Sequence, residues 1–386
     1  MENFVYESPT KIVFGKNQIE TLKTLLQEKN VKRMLLVYGR KSIKKLGIYD
    51  AIQDIVSTLD IRLFEEANVR PNPELKSVKS GRKKAIDSGV DFILAVGGGS
   101  VIDCAKAIAF SVFKKEEKIW DVFLKNDVVS RAIPLGVVVT LAATGSETNG
   151  NTVISNDELR EKRSIKNDHL IPEFAIIDPS YTLNVSKEQT IAGSIDIMMH
   201  VFEQYFSPTK RTETSDYMSI GVLQSVIENT ERYLKGQNDY DTRANLSWAS
   251  TIALNWILQQ GKTGDWASHR LSYPPTSEHG LTHGYALSAI YPTWLKMALE
   301  RNEEAMRPRL KTLGRTLFGE DDAEKTIEAI GGRFKAWGAP TSLSEYGVNL
   351  HQDQIHRYAK QVTRLGSIGN VFKIDRKLAE TFYERA

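Results

Sequence analysis

One cysteine stands among 386 residues, so no disulfide can close within the chain, and nothing points to an oxidising compartment. An excess of one charge is missing as well. The 51 Lys and Arg nearly balance the 48 Asp and Glu, and a net +3 makes no case for nucleic acid or a membrane as partner. No run of about 18 unbroken apolar residues occurs, so no transmembrane helix is expected. The start, MENFVYESPTKIVFG, lacks a basic stretch followed by an apolar one; it does not read as a secretory signal, and the cytoplasm is the expected location. Internal repeats and low-complexity segments are absent. Histidine is scarce too, yet three of the seven, His269, His279 and His283, fall within HRLSYPPTSEHGLTHG (269–284).

What is present is ordinary for a globular protein: 41% hydrophobic and 26% charged residues, over a length that suggests two domains or three. In the first half, short apolar runs alternate with helical patterns. The runs are RMLLVYG (33–39), LFEEANV (63–69), DFILAVGGGS (91–100), IPLGVVVTLAAT (133–144) and FAIIDP (174–179). This alternation predicts a mainly parallel sheet covered by helices. From about Lys187 the apolar residues keep helical spacing in long blocks. Examples are Tyr217, Ile220, Leu223, Val226 and Ile227, then Leu246, Ala249, Ile252, Ala253, Trp256 and Ile257, then Ile327, Ile330, Phe334 and Trp337. The reading is an α/β domain over 1–185 and an all-helical domain over 186–386. A cleft between two such domains is a usual place for a small-molecule site.

Two turns suggest phosphate binding. GGGSVID (97–103) follows a strand and opens a helix, where glycines admit close approach to backbone amides and the helix N-terminus adds partial positive charge. The alternative is a tight turn with no ligand; the spaced G-x-G-x-x-G fingerprint is not there. In VYGRKS (37–42), Gly39 is followed by Arg40, Lys41 and Ser42, donors suited to a 2′-phosphate, where a ribose diol would call for a carboxylate. A solvated basic turn is the plainer alternative.

In IAGSIDIMMHVFEQYF (191–206), Asp196 and His200 stand four apart among apolar residues and share one helix face. Buried there, they need a partner: each other, or an ion. His269 and His283 are fourteen apart, about 21 Å along an unbroken helix, too far to share an ion. Pro274, Pro275 and Gly280 lie between them and predict a break that lets two helix ends converge. One carboxylate and three imidazoles suit a divalent first-row ion with a position left open for substrate. His279 either points into the same pocket or lies at the surface.

Together these segments resemble the iron-containing (group III) alcohol dehydrogenases, nearest the butanol dehydrogenase and aldehyde reductase branch. The resemblance runs through YESPTKIVFGK (6–16), YGRKSIKKLGIYD (38–50), GGGSVIDCAKAI (97–108), TLAATGSETNGNTVISN (140–156), DPSYT (178–182), AGSIDIMMHVFEQYF (192–206) and DWASHRLSYPPTSEHGLTHG (265–284), nearly the whole chain. It implies a dinucleotide-binding α/β domain followed by an all-α domain, the two-domain plan of dehydroquinate synthase, with the site between them, and a homodimer. Asp196, His200, His269 and His283 match the metal ligands. Gly97, Gly98, Gly99 and Ser100, with Asp103, match the phosphate turn; Thr140, Thr144 and Ser146 match the segment around ribose and nicotinamide, and Lys162, shortly after it, matches a lysine placed near the cofactor. Glycine at position 39 implies NADP(H) in preference to NAD(H). Two departures stand out. YGRKS replaces the family's YGGGS, and Tyr273 takes the place of a histidine usually found near the nicotinamide.

The implied reaction is reversible reduction of a small, butanol-like aldehyde to its primary alcohol, with hydride from NADPH and the ion as Lewis acid. The ion can be iron, zinc, nickel, cobalt or manganese. Tyr273 and His279 are the side chains placed to serve the proton path, beside water and the ribose hydroxyl. Arg270 and Tyr273 keep an anionic phosphono- or sulfo-aldehyde in play. Two rivals differ in class. A dehydroquinate synthase-type lyase would need a strongly cationic pocket; a nucleotide-binding sensor would have little need of four retained ligands.

Overall fold

The apolar runs of the first half form strands because apolar side chains, β-branched above all in β5 and β8, fill them on both faces, as a sheet covered on both sides requires. A computed structural model describes residues 1–125 and 127–386 and divides them into two compact units. One comprises Glu7–Val185 and Asn238–Thr251; the other comprises Met1–Tyr6, Ser186–Gln237 and Ile252–Ala386. One boundary of the division falls between Val185 and Ser186, and each unit also takes in one short segment from elsewhere in the chain, Asn238–Thr251 and Met1–Tyr6.

In the first unit the strands are β1 (Lys11–Phe14), β2 (Arg33–Tyr38), β3 (Arg62–Glu66), β4 (Phe92–Gly97), β5 (Leu135–Val139), β6 (Asn151–Asn156), β7 (Glu161–Lys166) and β8 (Phe174–Ile177). Six form one sheet in the order β1-β8-β5-β4-β2-β3, all neighbours parallel. Antiparallel β6 and β7 stand apart as a hairpin. The connecting helices are α1 (Thr21–Glu28), α2 (Ser42–Lys45), α3 (Ile48–Thr58), α4 (Leu75–Ser88), α5 (Gly99–Ser111) and α6 (Ile119–Phe123). Alternate strand residues feed two cores. Leu35, Val37, Ile93, Ala95 and Val137 pack under α4, α5 and α6, while Met34, Leu36, Leu94, Val96 and Val138 pack under α1 and α3. From β2 the chain moves outward to β3, then returns across it to β4 and proceeds the other way. The carboxyl ends of β2 and β4 therefore flank a reversal of strand order, the usual crevice for a ligand in an open α/β sheet.

The second unit is helical: α7 (Lys187–Tyr205), α8 (Glu213–Leu234), the end of α9 (Tyr240–Leu254), α10 (Ala267–His279), α11 (His283–Arg301), α12 (Glu303–Leu317), α13 (Ala323–Ala336), α14 (Gln352–Val362) and α15 (Arg376–Arg385). Ser186 caps α7, its hydroxyl accepting from the Gln189 amide at 3.2 Å. Every residue from Thr190 to Tyr205 is buried, so α7 is a core helix. It packs on α8 and α11, with Phe202 stacked on Tyr291 (centroids 5.3 Å apart) and Tyr291 on Trp294 (5.4 Å). Two readings change. α9 ends at Leu254, so Trp256 and Ile257 leave the helical face they were read on. And α10 runs unbroken through Pro274 and Pro275. The carbonyl that Pro275 leaves without its helical donor is that of Leu271, and the Tyr383 hydroxyl donates to it at 2.8 Å. The chain instead turns at Gly280 (φ 64). Among the described residues, no helix is long and apolar enough to cross a membrane.

Candidate metal centre and cofactor turn

The buried face of α7 carries Asp196, His200 and Glu203 at the i, i+4, i+7 positions of one stripe. His269 comes from the first turn of α10 and His283 from the first residue of α11. Gly284 allows the last approach: a Cβ there would sit 2.0 Å from the Ala192 carbonyl oxygen of α7, so any side chain would push α11 and His283 away. All three imidazole Nε2 atoms surround one oxygen. Asp196 Oδ1 lies 3.8 Å from His200, 3.9 Å from His269 and 3.7 Å from His283. Asp196, His200 and His269 each offer a ligating atom within 4.8 Å of the others. His283 lies outside that mutual set, though its ring centroid is 5.6 Å from that of His269.

These residues fit a cation. Asp196 Oδ1 and His269 Nε2 are buried with no hydrogen-bond partner, which is costly unless something else neutralises and binds them. The other nitrogen of His269 is occupied: Nδ1 donates to Glu203 Oε1 at 2.9 Å. That bond puts the proton on Nδ1 and leaves the Nε2 lone pair for a ligand. The same carboxylate oxygen accepts from the His269 amide (2.9 Å) and the Ser268 hydroxyl (2.6 Å), so it fixes backbone and ring together. Asp265 holds the start of α10, accepting from the amides of Ala267, Asn370 and Val371. Burial, and then the Glu203 charge, push its carboxyl up to about 7. Burial works to raise Asp196, but the rings of His200, His283 and His269 outweigh it and hold this carboxyl well below the usual range. Burial pushes His200 down to about 4 against the pull of Asp196. His269 rises to about 9 despite burial, because the carboxylates of Asp196 and Glu203 both lie against its ring.

The two remaining candidates of this unit lie on α10. Tyr273, half-buried, follows His269 by one helical turn and shares its side of the helix. His279 ends the helix, exposed, with Nε2 3.2 Å from the Tyr358 hydroxyl, and is not among the grouped ligating atoms.

In the other unit, the two turns singled out in the sequence meet. Gly39 follows β2, Gly97 ends β4 with Gly98, Gly99 and Ser100 after it, and Thr140 follows β5, at the carboxyl ends of three adjacent strands. A Cβ at Gly39 would lie 3.9 Å from Val101 in the first turn of α5, so the basic turn abuts the glycine turn. Arg40, Lys41 and Ser42 are exposed. Gly98 caps α5, whose first amides, those of Gly99 and Ser100, lack helical acceptors as the start of any helix does. Thr144 lies against Gly99, and the Thr140 amide donates to the Gly97 carbonyl at 3.0 Å. Asp103 and Ser146 face each other, the Ser146 hydroxyl donating to Asp103 Oδ1 at 2.8 Å. Burial pushes Asp103 up to about 6; Lys106, the Ser146 hydroxyl and the Val153 amide oppose it. On β7, Lys162 donates to Asn72 Oδ1 at 2.8 Å.

Three contributors escaped the sequence reading: Glu203, Gly284 and Lys106. Glu203 had a signal, since it continues the Asp196–His200 stripe by one more turn as a charge among apolar residues. Lys106 had a fainter one, a lone cation in the apolar helix VIDCAKAIAF. Gly284 had none, because a close approach is visible only once α7 and α11 are packed.

Residues 9–179 match the family profile described as iron-containing alcohol dehydrogenase, and residues 190–386 match the C-terminal profile of the Fe-containing alcohol dehydrogenase family. The chain is 39% identical to the "Probable NADH-dependent butanol dehydrogenase 2" of Bacillus subtilis over 97% of both chains. It is 34% identical to the NADPH-dependent aldehyde reductase YqhD of Escherichia coli over 90% of both. Among solved structures, the NADH-dependent butanol dehydrogenase A of Thermotoga maritima superposes with a TM-score of 0.94 at 33% identity, covering 100% of this chain and 98% of that one.

Proposed function

The chain belongs to the iron-containing alcohol dehydrogenase family, and on that premise we propose that Asp196, His200, His269 and His283 hold the one divalent ion of an NAD(P)H-dependent enzyme that interconverts a small, butanol-like primary alcohol and its aldehyde. The observation that carries this reading is the convergence of three imidazole Nε2 atoms on Asp196 Oδ1 at 3.7–3.9 Å. When bound, the ion supplies Lewis acidity toward a carbonyl oxygen, and the nicotinamide supplies the hydride. Asp196 brings the negative charge that three neutral imidazoles lack, and Glu203 keeps His269 in the tautomer that can ligate. Gly97, Gly98, Gly99 and Ser100 offer backbone amides at the α5 N-terminus to the dinucleotide phosphates. Thr140 and Thr144 line the same strand ends toward ribose and nicotinamide, and Lys162, on β7, serves the cofactor from the hairpin. Asp103 and Ser146 brace that segment from behind, since their polar groups are turned on each other.

The named relatives divide between NADH and NADPH. For this chain the exposed Arg40, Lys41 and Ser42 after Gly39 favour NADP(H), because a 2′-phosphate there meets two cations and a hydroxyl with no carboxylate in the turn. Tyr273 supplies a ring and a hydroxyl one turn beyond His269 and walls the substrate. The test is oxidation of NADPH and NADH by the purified protein against straight-chain aldehydes from ethanal to hexanal. Reduction of butanal with at least about tenfold higher kcat/KM for NADPH is expected, from one charge-assisted contact of about 1.5–3 kcal/mol. No turnover of any aldehyde with either cofactor would contradict the reading.

A further inference from the structure

Lys106 is the most enclosed cation of the sheet unit: its side chain is wholly buried in α5, two turns after the glycine turn. The ammonium has three protons and a crowd of acceptors. It donates to the backbone carbonyls of Ser146 (2.6 Å), Asn149 (2.7 Å) and Asn151 (2.9 Å), and to the Ser146 hydroxyl (2.8 Å). Three carbonyl oxygens turned to one point repel each other unless a cation sits between them. Burial pushes Lys106 down to about 8, with Asp103 and Glu147 working against that fall, so it remains charged at neutral pH.

The acceptors belong to the segment between β5 and β6, whose only regular structure is a single short turn at Ser146–Thr148, and to Asn151, the first residue of β6. Such a segment has no helix or sheet ladder to give it a shape, so its conformation depends on bonds of this kind. Its free-standing part begins at Thr140 and carries Thr144, which lies against the first residue of α5. A Cβ at Gly99 would be 2.3 Å from the Thr144 methyl carbon and 2.5 Å from its hydroxyl. The Ser146 amide donates to that same hydroxyl at 3.3 Å. Lys106 thus ties the far side of the segment to the very helix whose N-terminus the near side faces.

We propose that Lys106 is a positioning residue for the dinucleotide, holding residues 140–151 in the shape that sets Thr140 and Thr144 beside the amides of Gly99 and Ser100. The proposal rests on the reading of this strand edge as the cofactor site. Lys106 itself touches no ligand; it acts through the backbone of Ser146, Asn149 and Asn151. A neutral side chain of similar length would leave those carbonyls facing each other without a donor, and the segment would relax away from the turn.

The test uses the full chain with its metal. NADPH and NADH dissociation constants are measured by nicotinamide fluorescence for wild type and Lys106→Met, at a temperature well below both melting transitions, with KM, kcat and metal content alongside. Loss of charge-assisted bonds in Lys106→Met should raise the cofactor dissociation constant and KM by at least about tenfold, with kcat changed less and metal content as in wild type. A purely structural lysine predicts a lower melting temperature with a dissociation constant within about twofold of wild type, and that result overturns the proposal. If Lys106→Met does not fold, Lys106→Gln, which keeps two N–H donors, is held to the same criteria. Failure of the wild type to bind either dinucleotide overturns the cofactor reading and this proposal together. Tight binding by wild type and variant alike overturns only the positioning role.

Discussion

Replacing Glu203 by glutamine tests how far metal binding depends on a residue that bears on the ion only through His269. The substitution keeps size and one acceptor oxygen but removes the charge. In the wild type, Glu203 Oε1 takes three hydrogen bonds, from the Ser268 hydroxyl, the His269 amide and His269 Nδ1. A charge-assisted bond of about 1.5–3 kcal/mol becomes a neutral one of about 0.5–1.5 kcal/mol, so the bond to the imidazole alone weakens by roughly 1–1.5 kcal/mol, near tenfold in affinity. The amide can also turn its NH2 toward Nδ1. That would place the ring proton on Nε2 and remove His269 as a ligand. The expected loss of divalent-ion affinity therefore runs from about tenfold to about a hundredfold, the range typical of a group that orients a metal-binding histidine. Competition with a chelator of known affinity measures it, and circular dichroism checks the fold. Removing the charge also relieves Asp265, which burial and Glu203 push up to about 7, so folding stability at neutral pH should not fall in step with metal affinity. An ion affinity within about twofold of wild type in a folded Glu203→Gln protein would refute the role given to this carboxylate.

Three further outcomes follow from the same geometry. His200→Ala, His269→Ala and His283→Ala should each lose most bound metal and nearly all turnover, whereas His279→Ala, whose ring sits on Tyr358, should keep metal near the wild-type level by atomic spectroscopy. Exchanging Arg40 and Lys41 together for glycine should lower the NADPH preference in kcat/KM by about tenfold; equal use of both cofactors by the wild type would place the basic turn in solvent. Tyr273→Phe should retain activity within about tenfold, or about 1.4 kcal/mol of barrier, while Tyr273→Ala should shift the aldehyde profile. A loss of several hundredfold in Tyr273→Phe, with metal and cofactor still bound, would make the phenol the proton donor.

Side-chain spacing on one element was readable; the meeting of elements was not. Asp196 and His200 stand four apart on a helix whose other residues are apolar, and such a pair demands a partner wherever the helix packs. The strands β2, β4, β5 and β8 were equally plain, being short apolar runs buried on both faces. The edge strand β1 has four residues with partial exposure, and β7, EKRSIK, reads as a solvated charged stretch until β6 pairs with it. The prolines of α10 misled for a definite reason. A proline breaks a helix when its freed carbonyl goes unsatisfied, and here the partner, Tyr383, lies over a hundred residues away. Glu203 was passed over because a glutamate near the end of a helix usually faces water, and only the packing of α10 on that face shows it enclosed.

The central claim is that one ion, held by Asp196 and three histidines, is required for aldehyde reduction. Metal content and NAD(P)H-dependent butanal reduction, measured on the same samples of wild type and Asp196→Ala before chelation, after it, and after addition of iron(II) or zinc, test that claim most directly. We expect about one ion per chain in the wild type, turnover that disappears with the metal and returns with it, and neither metal nor turnover in Asp196→Ala. Undiminished butanal reduction by metal-free wild type, or full metal occupancy in Asp196→Ala, would contradict it.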